Sequence, residues 1–389
     1  MLHRHDSITK RHHTRDRFAL VVIFIGMLVA AQACLAQGNE TNSQQLAVPA
    51  TFVRYVKTPG AADFIKRPTA MHWDRFHNEL LVADSGHNRV VVFTASGSFK
   101  FEFSLGMDVT APADLITDPE GYIYVLGSNQ GGRVLHRFDF DGLSLGPVPV
   151  PAALDNLPVS PRSGACDDAG RLYLLDNDAK RVLILDPETG LIDHFSVGTP
   201  EQSSAEVFGL GFMAVSGDEV LIPVATGGTV LRHALDGTYL GTLGHFGSKP
   251  GALNFPVAVE VSPEGITGVL DQGRFCVVCY DTQGQVIGEF GGKGFSPGWF
   301  LNPSLLAIPS ADRVVIGQIY NNAIQVCVLP EFVRGRNQLS ANKTASPKGM
   351  AESAVNVDPS HASYPFAPVS RGSQDPQNPV HVSHLEVSN

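Results

Sequence analysis

Leu81-Val82-Ala83-Asp84-Ser85-Gly86-His87-Asn88-Arg89-Val90-Val91-Val92-Phe93 carries the pattern that decides the fold. An apolar run meets a polar turn opened by Asp84, and a second run alternates about valine until a turn closed by Gly97. The same order returns at 172–190 and 268–284, and in weaker form at 123–142, 220–237 and 314–329. Anchored on the residue that opens the polar turn (Asp84, Gly127, Asp176, Val224, Asp271, Gln318), the units lie 43, 49, 48, 47 and 47 residues apart. Runs this short, rich in Val, Ile and Leu and bounded by Gly, Pro and Asp, read as strands and not as helices.

A unit of some 47 residues has the length of a four-stranded propeller blade and exceeds that of leucine-rich or ankyrin units. The flanking sequence supplies the remaining strands. An inner strand precedes each anchor, opened by Pro68, Pro112, Pro161, Pro256 or Pro303, and ends in a hairpin turn such as 118–121, 168–170 or 263–265. Outer strands are expected at 99–105, 192–197, 239–244 and 286–291, with Gly-rich links at 245–251 and 292–298 leading to the next blade. The sixth unit stops near Pro330 without an outer strand, whereas 51–56 is an outer strand with no blade before it. The expectation is an all-β, six-bladed β-propeller of four-stranded antiparallel blades over 51–330. Its ring is closed by pairing of the N-terminal strand with 324–329, because an open ring would leave a sheet edge bare.

The run from Val82 to Phe93 resembles the signature of the NHL-repeat family, sharply in the first blade, fairly in the third and fifth, and loosely elsewhere. That resemblance implies a six-bladed architecture and leaves chemistry open, because one fold hosts many functions. Two relatives of the fold imply metal sites. The peptidyl-α-hydroxyglycine lyases hold zinc with three histidines in the central channel, but His72, His87, His136, His194, His233 and His245 occupy non-equivalent places here. Gluconolactonase-like propellers hold a divalent ion with converging carboxylates and amides. The inner strands of this chain offer Asp114 and Glu260, a candidate metal pair or two solvated channel residues.

The termini read differently from the repeat. Residues 1–17 carry five basic side chains against two acidic ones, 18–31 is unbroken apolar residues and glycine, and small residues follow. This is the layout of a signal peptide, assigned to 1–36. Retention as an anchor and lipidation at Cys34 are the alternatives. Residues 37–50 are expected to be a flexible linker and 331–389 a disordered tail rich in Ser, Asn, Pro and His. Removing 1–36 takes the formal charge from −10 to −13, which argues against nucleic acid as a partner and against membrane insertion after cleavage.

The repeated carboxylates Asp84, Asp176 and Asp271 are expected to cap their own turns, with Arg89 and Arg181 placed to pair with the first two. Cys276 and Cys279 fall in one strand, where i and i+3 face opposite sides, so a redox pair is not expected and buried thiols are. Loops between second and third strands share one face of the ring. They supply ligand-binding candidates: His87, Asn88 and Arg89; Asn129 and Arg133; Asp178 and Lys180; Arg274; Tyr320 and Asn321. The function expected is an exported, monomeric, non-catalytic binding scaffold without a cofactor. It would recognise a protein, a peptide or a cell-envelope polymer. The alternative is a divergent metal-dependent enzyme, lyase-like or lactonase-like, working in the channel.

Overall fold

The computed structural model describes residues 48–59, 64–201 and 206–335. The expected export signal, most of the linker and most of the tail lie outside these residues. Among the described residues no helix is long and apolar enough to cross a membrane.

Six four-stranded antiparallel sheets form the blades of a β-propeller. From inner to outer strand, blade 1 is Pro68–Asp74, Glu79–Asp84, Arg89–Thr94 and Phe99–Ser104. Blade 2 is Thr110–Thr117, Ile123–Asn129, Gly132–Phe138 and Ser144–Pro147. Blade 3 is Pro161–Cys166, Leu172–Asp176, Arg181–Asp186 and Gly190–Ser196. Blade 4 is Ala214–Ser216, Glu219–Val224, Thr229–Ala234 and Tyr239–Leu243. Blade 5 is Pro256–Val261, Thr267–Asp271, Cys276–Tyr280 and Val286–Gly291. Blade 6 is Leu305–Ser310, Arg313–Gln318, Ala323–Val328 and, from the other end of the chain, Thr51–Tyr55.

That last pairing closes the ring. Thr51 lies opposite Val328 and Phe52 opposite Cys327. A second clasp comes from the Arg67 N–H, which donates to Asn322 Oδ1 at 2.8 Å.

Strand alternation explains where the core sits. Leu80 and Val82 face the layer between blades 6 and 1, whereas Leu81 and Ala83 face the layer between blades 1 and 2. The buried apolar residues accordingly fall into six clusters, one at each blade–blade interface. Cys276 faces the layer between blades 4 and 5, and Cys279 that between blades 5 and 6. All four described cysteines are free and buried.

Three inner strands begin on a proline that sits across from the turn-opening aspartate: Pro68 from Asp84, Pro161 from Asp176 and Pro256 from Asp271. Each carries a bulge just after that proline, which has no N–H to give the ladder.

Blades 2 and 4 depart from the regular repeat. In blade 2 the residue paired like Asp84 is Ser128, opposite Arg133, so the anchor Gly127 was one residue early. Blade 2 also has an outer strand, cut short where Pro147, Pro149 and Pro151 remove its donors. Blade 4 has an inner strand of three residues, because Phe212 leaves it to bridge in parallel with Ala258 of blade 5. Gly211 permits the crossing, since a Cβ there would lie 2.3 Å from the Val257 carbonyl oxygen. Residues 331–335, the first of the expected tail, are a helical turn whose Val333 is buried in the layer between blades 5 and 6.

Candidate functional site

Second-to-third-strand turns and the links between blades lie on one face, called here the link face. Hydrogen bonds tie them together: Asn88 Nδ2 donates to the carbonyl of Gly106 at 2.8 Å, and Asn177 Nδ2 to that of Leu210 at 2.8 Å. Most candidates chosen from the sequence are taken up by this stitching. Asp84 accepts from Lys66 N at 2.9 Å and Arg89 Nε at 3.0 Å, and His87 Nδ1 lies 2.8 Å from it. Arg89 also donates to both oxygens of Glu102 at 2.9 Å.

Blades 3 and 5 repeat the arrangement. Arg181 Nε donates to Asp176 at 3.1 Å, and Asp271 accepts the N–H groups of Asn254, Phe255 and Arg274. The Arg274 guanidinium donates to the Ala252 carbonyl and to Glu289, both at 2.6 Å. Asn129 accepts from its own turn at Gly131, and Asn321 from Ala323. Asn88, Lys180 and Asn322 stand at the last turn position with φ of 51°, 55° and 54°, so backbone shape is what they serve there.

Among the described residues only Arg133, Asp178 and Tyr320 of the ten loop candidates are left without a hydrogen-bond partner. Arg133 faces Ser128 where its counterparts face aspartate.

What the link face does expose is aromatic. Phe64, Phe208, Phe246, Phe255, Phe295 and Tyr320 stand in its links and turns, with Phe295 84% and Tyr320 81% exposed. The links 244–251 and 291–298 fold alike, bridged at Phe246–Leu253 and Lys293–Phe300. Leu253 and Phe300 are buried, as inter-blade packing predicts, but Phe246 and Phe295 point to water beside exposed Lys249 and Lys293. Phe64 has Lys66 nearby in sequence, and the Lys180 ammonium lies 5.8 Å from the Phe208 ring centre.

A second feature lies at the ring axis: a cavity of about 470 Å³, lined in the C-terminal halves of the inner strands and in the hairpins that follow them. It therefore belongs to the face opposite the links. Both Asp114 and Glu260 reach it, together with His72, whose Nε2 lies 3.0 Å from Thr117 Oγ1. Asp114 accepts the N–H groups of Leu115 and Gly164, each at 2.9 Å. Arg75 and Asp168 form an ion pair at the rim, spanning from blade 1 to blade 3.

Burial pushes the Asp114 carboxyl up to about 7, against those N–H bonds. Burial, and then the charge of Asp114, push Glu260 up to about 8, and burial holds His72 down to about 4. Among the described residues no three His, Cys, Asp or Glu side chains are grouped to hold a metal ion. Arg75 and Thr117 belong to this site and were missed in the sequence, where the one follows a strand end and the other precedes a turn without any motif.

No protein-family model matches the chain, and no curated protein matches it either. Solved structures do. A protein of unknown function from Bacteroides thetaiotaomicron is similar with a TM-score of 0.53 at 12% identity, covering 73% of this chain and 75% of that one. Virginiamycin B lyase from Staphylococcus aureus is similar at a TM-score of 0.45 and 13% identity, covering 69% of this chain and 86% of the lyase. A streptogramin B lyase gives 0.48 at 12% identity, covering 72% and 98%. At such identities the likeness is one of fold.

Proposed function

We propose that this chain is an exported propeller of the NHL type that binds a protein partner through its link face, at a surface of phenylalanines set among lysines. The observation that carries the reading is the placement of the exposed aromatic side chains. Phe64, Phe208, Phe246, Phe295 and Tyr320 come from different blades and share one face. Exposed rings on one face are available as anchors, and aromatic anchors dominate the energetics of protein interfaces. The lysines beside them stand out on a chain of net charge −10, so the complementary surface is apolar and acidic. The basic and apolar N-terminus supports export, which places the partner outside the cytoplasm.

Co-isolation from the extracytoplasmic fraction, quantified by mass spectrometry, tests the reading. The double variant Phe246→Ser/Phe295→Ser should lose a partner that the unaltered protein retains. At roughly 2 kcal/mol per anchor the two together cost ~1,000-fold in affinity. A control pair, Leu143→Ser/Ile192→Ser, removes exposed apolar side chains away from the link face and should keep the partner. Retention by the first variant and loss by the second would place the interface elsewhere.

A further inference from the structure

The axial cavity plays no part in that reading, since none of the exposed link-face side chains lines it. Its walls are about half hydrocarbon, with Trp73, Phe76, Phe212, Met213, Leu305 and Ile308 contributing. Phe212, carried across by the break in blade 4, packs against the apolar layers on both sides of blade 6. A volume of about 470 Å³ suits a small organic molecule.

Two carboxylates reach this space, and their situations differ. Asp114 has an N–H donor on each oxygen. Glu260 enters from blade 5 and accepts no hydrogen bond among the described residues. Arg75, the cation of the cavity, is turned to Asp168 at the rim, and its guanidinium lies 4.8 Å from the Phe76 ring centre. Blades 4 and 6 line the cavity with apolar side chains and Ser216. The place open to a positive charge is therefore the Glu260 side, where the half-buried carboxylate is flanked by hydrocarbon and polar wall atoms.

We propose that this cavity binds a small organic amine, its ammonium group against Glu260 and its hydrocarbon body against Trp73, Phe212 and Leu305. An ammonium supplies the hydrogen bonds that Glu260 lacks, and aromatic walls tolerate a cation as water-filled ones would. A carboxylic acid fits less well, because the Arg75 charge is already matched by Asp168. The charged and titratable groups that line the cavity with Glu260 are Asp114 from blade 2, His72 and Arg75 from blade 1, and Cys166 and Asp168 from blade 3.

With Glu260 pushed up to about 8 by burial and by Asp114, the empty cavity holds it mostly protonated at pH 7. A bound ammonium favours the ionised form, so binding releases a proton. Affinity rises with pH from 6 towards 8, and falls only where the amine itself loses its charge, near pH 10.

Calorimetry with three probes sharing one body tests this: 4-phenylbutylamine, 4-phenylbutanol and 4-phenylbutyrate, each titrated into the full chain at pH 8. The amine should bind at least tenfold tighter than the alcohol, and the acid weakest. Glu260→Gln should bring the amine to the level of the alcohol and leave the alcohol unchanged. Heats for the unaltered protein in phosphate and in Tris at pH 7 should differ by the enthalpy of proton uptake by the buffer. This readout needs no variant to fold. Equal binding of amine and alcohol, tightest binding of the acid, or no proton release would overturn the proposal.

Discussion

Asp84 shows how much one side chain does in this architecture. It is fully buried, and it gathers the Lys66 N–H, the Arg89 guanidinium and the His87 ring into one knot. The link is thereby pinned to the blade it enters. Replacing it with alanine leaves the Arg89 guanidinium with Glu102 alone as counter-charge, and takes the acceptor from the Lys66 N–H and the His87 ring. Removing one partner of a buried pair costs about 3 kcal/mol or more. Asp84→Ala should lower the free energy of urea unfolding by about that amount. Asp178→Ala, at an exposed position of the matching turn in blade 3, should change it by less than about 0.5 kcal/mol. The pairing of Asp84 with Arg89 joins residues five apart and leaves a local pattern, whereas the Lys66 N–H that Asp84 also takes lies 18 residues away and leaves none. The cavity was legible only in part. Asp114 and Glu260 could be placed on inner strands by counting from the repeat. Arg75 and Asp168 are separated by 93 residues, and their meeting over the channel follows from ring geometry that no local pattern encodes.

Strands show the same division between local and distant causes. Those of blades 1, 3 and 5 were readable from alternation and from the turn residues that bound them. The inner strand of blade 4 was not, because Phe212 exchanges its own sheet for that of blade 5, a contact decided by the neighbouring blade. The orphan strand at 51–56 was readable for a different reason: the sixth repeat is one strand short, and a ring has only one place for a spare. Its pairing gives a direct prediction. Phe52 and Cys327 are cross-strand partners, at a spacing that antiparallel neighbours share with disulfides. Phe52→Cys should therefore form a disulfide with Cys327 on mild oxidation, seen by mass spectrometry of unreduced peptides. The cross-link would enclose about 275 residues, and the chain-entropy estimate for such a loop is about 5 kcal/mol of stabilisation. A melting temperature unchanged by oxidation, with the bond formed, would mean that closure contributes little to holding the ring.

Across the whole molecule, the core is six separate apolar layers and not one centre. In an open repeat array such layers would unravel from the ends, each at its own stability. Closure removes the ends: loss of any one layer leaves two blades that each still contact a neighbour, but it exposes two apolar faces at once. The ring is therefore expected to unfold as a unit. The cysteines are placed to test this, since Cys166 lies between blades 2 and 3, Cys276 between 4 and 5, and Cys279 and Cys327 between 5 and 6. Burial pushes all four thiols up, so in the folded ring they are protonated as well as covered. In moderate urea, alkylation resolved peptide by peptide should label the four at one common rate, set by global unfolding. Earlier labelling of Cys166 than of Cys279 would show that the layer between blades 2 and 3 opens independently. That layer adjoins blade 2, whose outer strand is short and ends on Pro147. A single rate would show that closure by Thr51–Tyr55 couples this layer to the other five.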